Sequence, residues 1–433
     1  MNNILISLPF IATLLLFWRY QQVNKGVFGP VSLLIFMYLV IYGCAIVIEV
    51  FGFGRRVFDL SLEGVAFLAT ATTFCLFAFC NFRDRADRVV WVDSDRARRI
   101  LSAFFLVSNI FAILFFLPSA IDGLTGDVEM NRQDLGETTS RLSDYGLINT
   151  YFSTISSCFC ISLVLGFSNL VRQSRHSRTS EYLGWGLIAS SVSYVIYILA
   201  WVGRDGIVYW TLSFVFVYLV FKPALSESVR AITYKFGVFA LITFLPFFFI
   251  ITIGRFGGKD MSVPVWILIY AGEQVNNFSD MFVVFSEDFA QHGALNFPLL
   301  ANLVATVDVD RADLYSFYTD KGVSPWTFST FVGSLYKDFG PAYTVVAFGI
   351  FFFLVRLVRV GRQISLSSLI VLVVLVQVPL FGVFYFRQYS TNFAILLSLL
   401  IAFFLRISRT KRGFRSFRVE RAETGRMARR ENG

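Results

Sequence analysis

The run FGVFALITFLPFFFIITI, residues 236–253, decides the fold. It carries no charge, and the chain turns polar straight after it, at Gly254-Arg255-Phe256-Gly257-Gly258-Lys259. About 20 apolar residues cross the hydrocarbon core of a bilayer, so the run reads as a transmembrane helix and the break as a membrane surface. From Gly254 to Asp338 the chain holds ten acidic residues, five basic ones and His292, one of its two histidines. This is the only long segment between two apolar spans, and most groups able to do chemistry lie in it.

Ten further runs of the same kind flank this one, near 3–18, 30–51, 64–82, 100–121, 147–171, 183–203, 206–221, 340–356, 366–386 and 392–406. The spans meeting near 203–206 are joined only by Gly203-Arg204-Asp205-Gly206, two charges between glycines, which suits a tight hairpin. The first run lacks a basic n-region and a small-residue cleavage site, so it reads as a retained helix. Of 433 residues, 56% are hydrophobic and 15% charged, against about 25% charged in soluble proteins. The expected fold is therefore all-α, a polytopic membrane bundle of about 11 transmembrane helices. It divides into a bundle over 1–253, a large loop over 254–339, three further helices over 340–406 and a basic tail over 407–433.

Charge gives the sidedness. With the N-terminus outside and the C-terminus in the cytoplasm, 27 of the 38 Lys and Arg fall on the cytoplasmic side, and 20 of the 29 acids fall outside or at the outer membrane edge. That is the positive-inside pattern, and it accounts for the net charge of +9 without nucleic acid. The long segment then faces outwards. The tail beyond Arg406 reads as an anchor drawn to anionic lipid headgroups. Cys44, Cys75, Cys80, Cys158 and Cys160 all lie in apolar runs without CxxC spacing, which suits small packing residues rather than a metal or redox site.

Within the long segment, Met261 to Gly272 is apolar but too short to span, which suits a re-entrant or interfacial piece. Beyond it Val275, Phe278, Phe282, Phe285 and Phe289 recur at helical spacing, with Glu273, Asn277, Asp280 and Glu287 on another face. The pattern predicts a helix along the membrane surface, apolar side down and polar side to water.

The spans hold almost no ionisable groups. Glu49 sits near an outer end, and Asn109 and Gln377 are merely polar, which counts against an ion-coupled pump. Charges gather where spans meet the outer surface: Arg204 and Asp205, Arg255, Lys337 and Asp338, and Arg387. From separate hairpin ends these cations are positioned to converge on an anionic headgroup. A cation about 4 Å from a phosphate charge is worth about 4 kcal/mol at an effective dielectric near 20, so two or three neutralise a pyrophosphate without metal. Glycines beside Arg204 and Arg255 let backbone amides approach an anion too. Taken singly, each interfacial cation is equally suited to anchoring a helix end. Other signals are weaker. Asp93-Ser94-Asp95 lies in a short cytoplasmic loop with no room for a nucleotide-binding domain, and Asp308, Asp310 and Asp313 read as solvated carboxylates before they read as a hard-cation site. Gly258-Lys259 lacks the rest of a phosphate-binding loop.

The polytopic layout, Gly203-Arg204-Asp205-Gly206 before an apolar helix, Ile269-Tyr270-Ala271-Gly272, and Tyr336-Lys337-Asp338-Phe339-Gly340 leading into the next span together resemble the O-antigen polymerase (Wzy-type, oligosaccharide repeat unit polymerase) family. The likeness covers most of the chain by layout and these short patches by residue. It implies a metal-independent, cofactor-free glycosyltransferase of the bacterial inner membrane. Such an enzyme joins undecaprenyl-pyrophosphate-linked oligosaccharide repeats on the periplasmic side, for O-antigen, capsule or exopolysaccharide. The partners implied are the lipid-linked oligosaccharide, membrane lipid and, as a candidate, a chain-length regulator. Arg204 matches the family's arginine after the mid-chain span; Tyr336, Asp338 and Gly340 match its aromatic-Asp-Phe-Gly patch; Arg255 is added from position.

Pyrophosphate is already a good leaving group, so cations matter more than a general acid. Arg204, Arg255 and Arg387, with Lys337 and Tyr336, are the candidate substrate-binding residues. The acceptor hydroxyl wants a base, for which the candidates in order are Asp338, Glu273 and His292. Asp338 is equally suited to capping the following helix, and His292 to a surface role. A ligase that attaches finished glycan to a lipid core, and a flippase or exporter of lipid-linked sugars, are the alternatives.

Overall fold

In lipid a backbone finds partners only within its own segment, so apolar runs become helices. The computed structural model describes residues 2–54, 56–82, 89–91, 94–124, 146–171, 178–256, 262–286, 290–297, 311–324, 328–358, 363–384 and 389–408. In chain order the helices are α1 (Asn2–Leu5), α2 (Leu8–Val23), α3 (Pro30–Val50), α4 (Leu62–Phe79), α5 (Asp95–Leu124), α6 (Gly146–Ser157), α7 (Phe159–Leu170), α8 (Arg178–Ser190) and α9 (Ser193–Leu199). There follow α10 (Asp205–Phe221), α11 (Glu227–Phe256), α12 (Val263–Gly272), α13 (Gln274–Val284), α14 (Arg311–Asp320), α15 (Thr330–Leu357), α16 (Leu366–Phe381) and α17 (Tyr389–Ile407).

The protein is a membrane-embedded helical bundle. Seven described helices are long and apolar enough to cross a bilayer, and the bent pair α6 and α7, which turns by 49°, makes eight. Among the other runs expected to span, α2 and α16 have 16 residues each, a rise of about 24 Å against a hydrocarbon core of about 30 Å. Every residue of α7 is buried and so are nearly all of α16, so these two form the centre. The mid-span polar residues pin neighbours to that centre. Asn109 donates to Ser162 at 2.9 Å and accepts from Ser193 at 2.9 Å, while Gln377 accepts from Ser213 at 2.9 Å. Such interhelical bonds in a membrane average about 0.6 kcal/mol each.

The connections meet in two sets. At one end Tyr20 donates to the Phe82 carbonyl, and strands β1 (Val89–Trp91) and β2 (Gln363–Ser365) pair in parallel. At the other, here the cap end, Val57, Phe58 and Ser61 bond to α13, Arg204 bonds to α11, and the amides of Thr330 and Phe331 donate to the carbonyls of Phe384 and Gly382.

The segment after α11 dips into the bundle. Trp266 and Ile269 of α12 pack with Ile48 in a cluster that Phe53 and Val263 join. Further along, Gly272 lies so close to α3 that a Cβ there would meet the Cys44 carbonyl carbon at 2.6 Å. Later residues of α12 thus meet earlier residues of α3, so the two run antiparallel. Cys44 is six residues inside the end of α3, about 9 Å along the helix. The chain turns at Gly272-Glu273, and α13 climbs back: Ser61 donates to Ser279 Oγ at 2.9 Å and Phe282 lies against Gly64. The short apolar piece is therefore re-entrant.

The expectation of a surface helix with a water-facing polar side is overturned. Every residue from Gln274 to Met281 is buried, because the polar face serves other chain segments. Asp280 accepts from the amides of Val57 at 2.8 Å and Phe58 at 3.0 Å, and Asn277 donates to the Phe328 carbonyl at 2.8 Å. Burial pushes the Asp280 carboxyl above its ordinary range, while those amides and the charge of Arg56 pull it back. Periodicity separates two chemistries on a helix but does not say what meets each.

Candidate functional site

Arg204 ends the tight hairpin between α9 and α10, as the residue just before α10. Its Nη1 donates to Thr252 Oγ1 at 2.8 Å, and its guanidinium lies 5.2 Å from the ring centre of Tyr270 and 5.6 Å from that of Phe248. These contacts orient the guanidinium. Thr252 is fully buried and bonded to the Phe248 carbonyl, so α11 offers its hydroxyl rigidly. Arg255 follows three residues on, in the last turn of α11.

Tyr270 extends the seat. Its ring meets Phe328 at 5.0 Å, and Phe328 meets Phe384 at 5.4 Å. Glu273, half-buried at the re-entrant turn, stands three residues from Tyr270 on the same side. Gln274 donates through Nε2 to the Tyr270 carbonyl at 2.8 Å, yet its Oε1 is buried without a hydrogen-bond partner. Since Nε2 is fixed on a carbonyl, Oε1 is an acceptor. Tyr270 before Gln274 and Asn277 after it both touch Phe328. Sequence reasoning missed Thr252, Gln274, Phe328 and Phe384. The available signal was the Gln274-Val275-Asn276-Asn277 run, too polar for a membrane-facing helix and read as facing water.

The other sequence candidates fall in a second cluster. The Asp338 carboxylate is fully buried and accepts four hydrogen bonds: from the amides of Gly293 (3.0 Å), Leu295 (3.2 Å) and Asn296 (2.8 Å), and from Asn296 Nδ2 (3.0 Å). All four come from residues 293–296, so the carboxylate ties a turn of the cap to α15 rather than capping the helix that follows. Tyr336 is buried, its ring walled by Phe67, Phe278, Phe282 and Phe285 at 4.9–5.6 Å. His292 is exposed with a left-handed φ of 49°, its ring 6.3 Å from that of Tyr343. Lys337 is half-buried. Gly340 kinks α15 at φ 69°, where a Cβ would strike the Phe285 ring at 2.7 Å. Only glycine suits both demands.

Arg387 lies outside the described residues, three positions beyond Phe384, as do Asp93, Asp308, Asp310 and the Gly257–Lys259 stretch. All five cysteines are free thiols. No protein-family model, curated protein or solved structure matches the chain.

Proposed function

We propose that this membrane-embedded chain is a polysaccharide polymerase of the inner membrane, with eleven spans, its N-terminus outside and its cap end in the periplasm. It transfers a glycan from a polyprenyl-pyrophosphate donor to a hydroxyl of a second lipid-linked repeat. The observation that carries the reading is the convergence at the cap end of Arg204, the last turn of α11, the Tyr270–Gln274 turn, Phe328 and Phe384. A cation backed by aromatic rings below a membrane surface suits a phosphate on a lipid anchor. The residue patches and the charge asymmetry support the same reading, as does the sorting of connections into two sets, which alternation through eleven spans requires.

In the transfer, the bond from the donor sugar's anomeric carbon to the pyrophosphate oxygen breaks, and the carbon bonds the acceptor oxygen. Arg204, with Arg255 and Arg387, stabilises the departing pyrophosphate. The acceptor proton passes to Glu273, with Gln274 Oε1 orienting that hydroxyl beforehand. Asp338 stands behind Glu273 as base because four donors already occupy its oxygens.

The test is elongation of a lipid-linked repeat by the purified chain in bilayers. Arg204→Ala is expected to lower the rate at least about 100-fold while the chain still folds. A wild-type product ladder from that variant overturns the role of Arg204. In cells lacking the protein, long free chains in place of single repeats on the lipid core would mark a ligase instead.

A further inference from the structure

Asn276 is fully buried, yet neither Oδ1 nor Nδ2 makes a hydrogen bond. A buried polar group left unpaired is costly, and native structures keep few of them. Asn276 lies on α13 three residues from Ser279 and four from Asp280, the two side chains that bond the 57–61 connection, so it shares their side of the helix. This is a different side from that of Gln274.

What borders Asn276 is polar. A Cβ on Gly54 would stand 3.0 Å from Asn276 Nδ2 and 2.9 Å from Glu49 Oε2, with the next atom at 3.9 Å. Gly54 has no left-handed φ, so its backbone conformation does not demand glycine. The missing side chain instead keeps carbon out of the space between two hydrogen-bonding groups, at a half-exposed position. Glu49 Oε1 is held by Arg56 Nη1 at 2.8 Å, with side chains 10% and 24% exposed respectively. That ion pair balances the carboxylate, which disfavours a metal cation and favours a neutral ligand that both donates and accepts. Hydroxyl groups do both.

We propose that Glu49, Gly54 and Asn276 form a subsite for the hydroxyl groups of a saccharide. One hydroxyl accepts from Asn276 Nδ2 and donates to Glu49 Oε2; a neighbouring one donates to Asn276 Oδ1. The choice of saccharide rests on the glycan-transfer reading. Under it the subsite holds sugar on one side of α13 while the Arg204 seat takes pyrophosphate on the other.

Two probes separate the sites, both titrated against the full chain in nanodiscs. The first is the repeat-unit oligosaccharide released by mild acid from the lipid carrier of the cell that makes the protein; it carries no phosphate. The second is undecaprenyl pyrophosphate, which carries no sugar. Asn276→Ala and Gly54→Ala are expected to bind the oligosaccharide about 10-fold more weakly than wild type and undecaprenyl pyrophosphate equally well, whereas Arg204→Ala does the reverse. Asn276→Ser, which keeps a donor and acceptor, should recover part of the loss. If Gly54→Ala does not fold, Asn276→Ala and Asn276→Ser decide alone. The subsite is overturned if wild type binds no oligosaccharide, or if Asn276→Ala binds it as wild type does, the amide then serving only a trapped water. If undecaprenyl pyrophosphate binds no better to wild type than to Arg204→Ala, the phosphate seat fails and the subsite stands on its own result.

Discussion

Asp338 and Arg204 are two charges at the cap end, held in opposite ways. Asp338 gives both oxygens to four donors drawn from residues 293–296. Arg204 meets Thr252, Phe248 and Tyr270, which come from two other parts of the chain. A charge consumed by one local turn holds that turn in place. A charge bordered by distant segments is held within reach of all of them, which is why the proposed chemistry is assigned to Arg204 and not to Asp338.

The comparison breaks most readily at Asp338. Asparagine keeps the shape but sets an amide nitrogen against N–H donors, so Asp338→Asn loses two charge-assisted bonds at about 1.5–3 kcal/mol each. A loss of at least about 3 kcal/mol is expected, seen as a lower unfolding temperature in detergent, whereas Arg204→Ala should lose less, about 1–2 kcal/mol. An Asp338→Asn chain that is stable but inactive in elongation would reverse the two roles.

A smaller effect is expected at Gly340, beside the same cluster. Alanine there meets φ 69° with ψ −179°, a region that essentially only glycine populates and that costs about 1–3 kcal/mol, and a Phe285 ring 2.7 Å away. Gly340→Ala should therefore lose about 2–3 kcal/mol by thermal unfolding. Wild-type stability would mean that the kink is not what holds Phe285 against Tyr336.

The bundle was legible because apolar length is a one-dimensional signal. Each of the eleven runs coincides with one or two helices, and the Gly203–Gly206 hairpin is a tight turn between α9 and α10. The position of Arg204 in that turn was legible for the same reason. What was not legible is pairing. Nothing in the spacing of Asn277 and Asp280 says that the Phe328 carbonyl and the Val57 and Phe58 amides will meet them, since those partners lie about 50 and about 220 residues away in the chain. The partners of Asp338 were hidden likewise: its sequence neighbours suggested a cap or a base, and its donors arrive from a turn more than 40 residues earlier.

On the Arg204 side the comparison sharpens at Tyr270. A cation–π contact is worth about 0.5–2 kcal/mol, so Tyr270→Ala should weaken undecaprenyl pyrophosphate binding several-fold, while Tyr270→Phe, which keeps a ring face, should bind nearly as wild type. Equal losses in both variants would assign the effect to the hydroxyl and leave the ring no part in orienting Arg204.

The smallest effect on stability, and the most telling, is expected at Gln274. Leucine of similar volume gives up the bond to the Tyr270 carbonyl, worth about 1 kcal/mol, but also removes a buried acceptor whose isolation costs about 1–3 kcal/mol. Gln274→Leu should therefore unfold at the wild-type temperature or slightly above it. If Oε1 orients the acceptor hydroxyl, the same variant should elongate roughly 10-fold more slowly, one lost hydrogen bond to a bound substrate. A chain that gains stability and loses turnover by one substitution has kept an unsatisfied group for a ligand. Asp338, with four partners of its own, has no such group to give up.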